Sequence, residues 1–196
     1  MWVEPVELRG QHVILLPLNY EYVDELEEAL LDGEIHRLWY TAVPQIGQVR
    51  AEIEKRLAWQ ESGSMQPFVV IDTRNGKAVG MTTFCRIDVV NRRVEIGYTW
   101  YCKSVQKTLL NTEAKFMLLQ HAFEKLNAVA VEFRTNQYNF NSQRAITRLG
   151  AKLDGVLRSA RLYPNDIVCD TYVYSILNHE WGAVKMNLLY KLSCNY

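Results

Sequence analysis

The segment Ser104–Phe123, SVQKTLLNTEAKFMLLQHAF, runs a polar, basic knot straight into an amphipathic helix. The first N–H groups of a helix have no intrahelical partners and the dipole is positive there, so such a start is a natural anion site. The turn QKTLLNT adds the charge of Lys107 and polar contacts from Thr108, Asn111 and Thr112. A phosphate group fits this chemistry. The plainer alternative is a helix capped by Asn111 or Thr112 beside a solvated lysine, and the spacing leaves both open. Neither GxxxxGK[ST] nor GxGxxG is present, so no Walker or dinucleotide loop is read.

The elements that must position this turn follow from periodicity. HVILLPL (His12 to Leu18) reads as a buried strand. A helix follows, with Asn19 able to cap, Val23, Leu26, Leu30 and Leu31 at helical spacing, and Gly33 as the stop. LWYTAVP (Leu38 to Pro44) is an aromatic loop. A second helix, QVRAEIEKRLAWQESG, turns Val49, Ile53, Leu57 and Trp59 inward and ends at Gly63. The period then changes to that of strands. Asn75-Gly76 predicts a hairpin with φ > 0 at both positions, and a second turn near Asn91 leads into RRVEIGYTWYC, giving three antiparallel strands between Phe68 and Cys102. The helix of the opening segment is expected over about Thr112 to Leu126. A strand follows over Ala128 to Thr135, then a helix from Asn139 to Gly150, a last hairpin around Pro164 and Asn165, and a tail forming a short helix. The strand–helix–strand unit across residues 93–135 requires a crossover, hence a parallel pair in a mixed sheet. The fold class is α+β, one domain over 1–178 and a tail over 179–196.

Composition narrows the function. Of 196 residues, 48% are hydrophobic and 22% charged, with 22 Lys plus Arg against 22 Asp plus Glu. Zero net charge argues against a general nucleic-acid binder, and no apolar run approaches the ~20 residues of a membrane span. The N-terminal residues MWVEPVELRGQH are acidic and lack a long apolar stretch, which argues against a secretion signal and for a cytoplasmic protein. Cys85, Cys102, Cys169 and Cys194 form no CxxC pair and have no metal-site rhythm, so they read as reduced thiols and no metal is expected. Two disulfides in a secreted protein are the alternative.

Order and motifs together resemble the GCN5-related N-acetyltransferase (GNAT) superfamily over about residues 7–178, most closely the branch of the ribosomal-protein N-terminal-alanine acetyltransferases. In that superfamily a [Q/R]-x-x-G-x-[G/A] loop holds the pyrophosphate of coenzyme A. Here Gln106, Lys107 and Thr108 take the first places, while Leu109 and Asn111 depart from Gly and Gly/Ala. The continuation NTEAK, Asn111 to Lys115, matches the branch. The resemblance implies acetyl-CoA and CoA as ligands of Gln106, Lys107, Thr108, Leu109, Leu110, Asn111 and Thr112. It also implies cofactor contacts near Gly97, Tyr98, Thr99 and Trp100 on a strand that splays from its neighbour. The N-x-x-[A/S] motif falls on Asn139 and Ser142, followed by Gly150, and the resemblance implies that Asn139 and Ser142 also contact the cofactor.

The same resemblance implies a base at Glu95 in VEIGY, for which the alternative is a solvent-facing strand residue. The tyrosine acid of many relatives falls at Ile146, which cannot donate; Ser142 is the substitute the branch suggests, or else it holds the cofactor or the helix start. Trp39 and Tyr40 would wall the acceptor site, with Arg161 and Tyr163 closing it. His121 reads as a packed histidine and His36 is unassigned. The implied activity is acetyl transfer to a primary amine. A peptide α-amine, with pKa about 7.7–8.0, is the easier acceptor than lysine at about 10.4. A protein N-terminus is therefore the expected partner, with a homodimer left open and neither nucleic acid nor membrane expected. The alternatives are a small-molecule amine acetyltransferase and a non-catalytic acyl-CoA-binding or regulatory module on the same fold.

Overall fold

The structure, a computed structural model, describes residues 2–194. Met1 of the expected domain and residues 195 and 196 of the expected tail lie outside it. Eight strands form one sheet in the order β1-β2-β3-β4-β5-β6-β8-β7. The strands are β1 (Leu8–Arg9), β2 (Val13–Pro17), β3 (Met65–Asp72), β4 (Ala78–Asp88), β5 (Arg93–Tyr101), β6 (Ala130–Asn136), β7 (Lys152–Tyr163) and β8 (Ile167–Leu177). The helices are α1 (Val23–Leu31), α2 (Val49–Glu61), α3 (Leu109–Gln120), α4 (Phe140–Leu149) and α5 (Trp181–Ser193). Every neighbouring pair is antiparallel except β5–β6, the crossover pair expected from sequence, which is parallel.

That pair is short. Its register runs Arg93↔Ala130, Val94↔Val131 and Glu95↔Glu132, and stops there. Beyond Glu95 the two strands part, and β5 has no ladder partner on that side. Its other edge is irregular too: the register to β4 shifts between Met81 and Thr83, where Tyr98 takes φ +50°. Such a bulge sends successive side chains out of strict alternation. Gly97, opposite Thr83, and Tyr98 serve the α2 side of the sheet, whereas Thr99 meets Thr82 on the α3 side.

Several expectations are corrected. α3 begins at Leu109, three residues before the expected start, because Thr108, not Asn111 or Thr112, caps it by accepting the Leu110 N–H at 3.3 Å. The Asn75-Gly76 turn has φ > 0 only at Gly76. The loop is instead organised by Asp72, whose carboxylate accepts the Arg74 N–H and pairs with its guanidinium. Leu31 is exposed while Ala29 and Leu30 are buried. On α2 the largest fully buried side chain is Arg56, with Leu57 and Trp59 only partly covered.

α3 is anchored by the NTEAK segment. Glu113 is buried and its carboxylate accepts the N–H groups of Gln11, His12 and Val13 at 2.9, 2.6 and 3.1 Å, tying the β1–β2 turn to the helix. Gly10 is needed there, since a Cβ would stand 2.4 Å from that carboxylate. α5 lies against α3, with Trp181 stacked on Phe123 and donating to Glu124 at 2.9 Å.

Candidate active site

The turn ahead of α3 is built by three local devices. Gln106 donates its side-chain amide to Tyr101 O at 2.9 Å, holding the turn to the end of β5. Lys107 takes φ +63°, so the left-handed residue of this loop is a lysine. Thr108 donates to Val105 O at 2.7 Å while capping α3. Leu109 is the first helical residue and does not have positive φ, so its Cβ is not strained. Asn111 Oδ1 is buried without a partner in the first turn.

Beside this turn lies a cleft of about 350 Å³. Its cations are Lys107, Arg148 at the end of α4, and Lys191 on α5; none of its lining residues is acidic. Arg148 donates to Thr112 Oγ1 at 2.7 Å, and Lys191 Nζ donates to Arg148 O at 2.5 Å. Burial, then the charge of Arg148, pushes the Lys191 amine down. A helix N-terminus with three convergent cations suits a ligand carrying several phosphates. Arg148, Lys191 and the nearby Asn187 and Tyr190 were not expected from sequence, because nothing in local spacing places a C-terminal helix over this turn.

Glu95 is not the solvent-facing residue of an alternating strand. It is buried, at the last rung of the parallel ladder. Its Oε2 lies 3.1 Å from Arg86 Nε and 3.5 Å from Arg134 Nε, within ion-pair reach but outside hydrogen-bond geometry. Burial raises the carboxyl above the ordinary range, Arg86 and Arg134 pull it back, and Glu132 raises it. Glu132 itself is lowered: hydrogen bonds from Arg93 and Arg134 outweigh burial. The other oxygen, Oε1, lies over Gly97, where a Cβ would stand 2.6 Å from it and 3.1 Å from Cys85 Sγ. A side chain at this step would push that carboxylate out of its place.

A second cavity, about 200 Å³, opens between α2 and the sheet beside Glu95 and is lined by Trp59, Ser64, Met65, Cys85, Arg86 and Tyr98. The Tyr98 ring sits 5.9 Å from that of Trp59 and 5.6 Å from the Arg56 guanidinium. The structure also brings together the four expected wall residues. Trp39 makes edge contacts with Tyr40 and Tyr163 at 5.6 Å, the Tyr163 hydroxyl donates to Tyr40 O at 3.3 Å, and Arg161 lies 5.2 Å over Tyr163. Tyr138, not expected, joins this cluster from the β6–α4 connection at 5.9 Å from Trp39.

Asn139 caps α4 by accepting the Ser142 N–H at 3.1 Å, which leaves the Ser142 hydroxyl uncommitted by this contact. Ile146 is buried. Trp100 is buried in the core. His121 packs near Phe84 at 6.2 Å with its imidazole lowered by burial, as a packed histidine, and the His36 ring lies 3.4 Å from Leu30 O.

A mixed sheet whose central strands part after one acidic residue, with a cationic helix start at one end of the gap, defines a class of fold. The family model of the acetyltransferase (GNAT) domain matches residues 12–152, and the chain belongs to that family. The chain is 33% identical over 111 residues to the Bacillus subtilis "Putative ribosomal N-acetyltransferase YdaF"; the match covers 57% of this chain and spans 60% of that protein's length. A GCN5-related N-acetyltransferase from Brucella melitensis superimposes with a TM-score of 0.87 at 27% identity, over 98% of this chain and 88% of the other. Mycobacterium smegmatis RimJ, solved in complex with CoA-disulfide, shares the fold at a TM-score of 0.76 and 19% identity, over 91% and 88% of the two chains.

Proposed function

We propose that this chain is an acetyl-CoA-dependent N-acetyltransferase that acts on a primary amine, with a protein or peptide N-terminal α-amine as its acceptor. The observation that carries the reading is the parting of β5 from β6 immediately beyond the buried Glu95, with the cationic start of α3 at the far end of β5.

When bound, acetyl-CoA supplies an acetyl group on a thioester. In this reading Lys107, Arg148, Lys191 and the first turn of α3 hold the phosphates. The exposed backbone edge of β5 from Gly97 to Trp100 aligns the extended arm, and Thr108 and Asn111 contribute from the turn. Glu95 Oε1, over Gly97, accepts the proton of the incoming ammonium directly or through water, so that a neutral amine attacks. A carboxyl raised by burial is a better-matched base, and Arg86 and Arg134 favour its charged form against that burial. Trp39, Tyr40, Arg161 and Tyr163 wall the acceptor side. Ser142 holds the cofactor or assists the departing thiolate. The ribosomal naming of the Bacillus subtilis relative supports a protein acceptor.

One observation favours a non-catalytic acyl-CoA-binding module: the position of the usual acid is Ile146, buried and without a donor. A CoA-release assay over a panel of peptides, amino acids and polyamines separates the two. Turnover is expected with peptides carrying a free α-amine and not with N-terminally blocked, lysine-containing peptides. CoA binding without release on any amine would favour the module, and turnover confined to polyamines or free amino acids would overturn the protein acceptor.

A further inference from the structure

We propose that Arg56 and Lys115 are positioning residues that together fix the Tyr98–Thr99 bulge of β5 from opposite faces of the sheet; this rests on the acetyltransferase reading above. Arg56, on α2, is fully buried and donates from Nη1 to Tyr98 O at 3.2 Å and to Thr83 Oγ1 at 3.1 Å. Its Nε is held by Glu52 at 2.8 Å, and its Nη2 is buried with no partner. Lys115, on α3, is buried and donates to Thr99 Oγ1 at 2.9 Å and Thr82 Oγ1 at 3.4 Å, with no carboxylate paired to it among the described residues. Thr82 and Thr83 are successive residues of β4 and point to opposite faces. Each cation therefore grips β4 and β5 at the same level, one from each side.

Both groups are expensive. A buried guanidinium with an orphaned donor and a buried ammonium without a counter-charge each oppose folding. The surrounding sheet is apolar, with Phe68, Val70, Met81 and Phe84 all buried. Two costly cations are thus concentrated on one irregular step of one strand. That step carries the only left-handed residue within β5, Tyr98, and directly follows Gly97, over which Glu95 Oε1 lies. A bulge has two ways to relax, slipping in register toward β4 or flattening toward the gap. Arg56 holds the Tyr98 carbonyl against the first, and Lys115 holds the Thr99 hydroxyl against the second. Fixing backbone geometry beside the reacting centre acts on the rate of the chemical step, where a displacement of about 1 Å can cost about 10²-fold. It leaves the distant phosphate contacts alone.

The test combines Lys115→Met, Arg56→Met, Arg56→Lys and the double variant with Thr99→Val, which removes the hydroxyl Lys115 holds and leaves both charges. Lys115→Met, Arg56→Met and Thr99→Val are each expected to lower kcat about 10- to 100-fold, a larger fold-change than in the Kd for acetyl-CoA, whose phosphate contacts are untouched. Arg56→Lys should restore part of the rate. Because both residues act on one element, the double variant should lose far less than the product of the single losses. Amide hydrogen exchange at residues 97–100 should speed up at least about tenfold in each variant while β3 stays protected. This readout needs no turnover, so it separates failure of the clamp from failure of the acetyltransferase reading. Unchanged kcat with unchanged exchange at the bulge would overturn the proposal, as would multiplicative losses in the double variant. If Arg56→Met does not fold, Thr99→Val and Lys115→Met decide.

Discussion

Replacing Lys115 by Met should make the protein more stable at neutral and mildly acidic pH, although the residue sits beside the proposed reaction centre. Burial lowers the Lys115 amine from 10.5 to about 7. Between those values the unfolded chain binds a proton there that the folded chain does not, so stability rises with pH across this window. Equivalently, the folded state bears the full penalty below pH 7 and loses it as pH rises toward the unfolded value. At ~1.4 kcal/mol per pK unit, the penalty is at most roughly 5 kcal/mol below the folded pKa. Two hydrogen bonds to threonines are lost on substitution, each worth about 1 kcal/mol. The threonines keep their own contact, since Thr82 Oγ1 and Thr99 Oγ1 are 2.8 Å apart. The Cys85 thiol, whose charge would raise the amine, is itself pushed up by burial and remains neutral near neutral pH. A net gain of about 2–3 kcal/mol is expected at about pH 6.5, or a rise in Tm of roughly 5–10 °C for a domain of this size. By about pH 9.5 the gap should close, because little of the penalty is left to remove. Thermal melts of both proteins from about pH 6 to 9.5, compared by difference, are the assay. A variant that melts below the wild type at the acid end, or a gap that does not change with pH, would refute the reasoning.

Glu95→Gln should lower kcat/KM by about 10² or more with cofactor binding intact, and Ser142→Ala only about tenfold. The acid limb of the wild-type pH–rate profile should fall above the ordinary carboxylate range, because a raised carboxyl must ionise before it can act. An unchanged rate for Glu95→Gln would assign the carboxylate to structure. Lys107→Glu should weaken both acetyl-CoA and CoA by calorimetry, and an unchanged Kd would move the phosphates away from α3. Leu109→Gly should leave CoA binding equal or weaker, because it places a flexible residue, worth about 1 kcal/mol against the helix, at the first turn of α3; a several-fold tighter Kd would show that a side chain here is a handicap. Glu113→Ala should lower stability by about 2–3 kcal/mol in urea titration, since the buried Val13 N–H and the partly buried Gln11 and His12 N–H groups lose their acceptor.

Strand and helix order was legible in the sequence because the period changes from 3.6 to 2 near Phe68 and back near Thr112, and because Gly33, Gly63 and Gly150 end their helices with positive φ. The parallel β5–β6 pair followed from the crossover requirement alone. Boundaries were less legible: Thr108, Asn111 and Thr112 are all competent caps, and only tertiary packing decides that Thr108 serves. The side chains of Trp39, Tyr40, Arg161 and Tyr163, distant in sequence, do come together. The polar residues of the site were mostly hidden. Arg56 lies three residues after Ile53 on the inward face of α2, a spacing that offered a signal, but a charged residue there reads as a flank of the apolar stripe. Nothing in the NTEAK pattern marks Lys115 as buried. Arg86, Arg134, Arg148 and Lys191 come from four separate elements, and their approach to Glu95 or to the start of α3 depends on sheet order and on where α5 docks, which no local pattern encodes.

The brevity of the β5–β6 ladder has a mechanical meaning. Three residue pairs are the whole strand-to-strand connection between the half-sheet β1–β5 and the half-sheet β6–β8–β7, whereas β6 and β8 share seven. The protein is two plates meeting along a short seam, with α5 strapped from the end of one plate onto α3 and the segment just after it on the other, through Trp181 against Phe116, Phe123 and Glu124. A ligand lying in the gap beyond Glu95 would act as mortar in that seam, stiffening the joint as it binds.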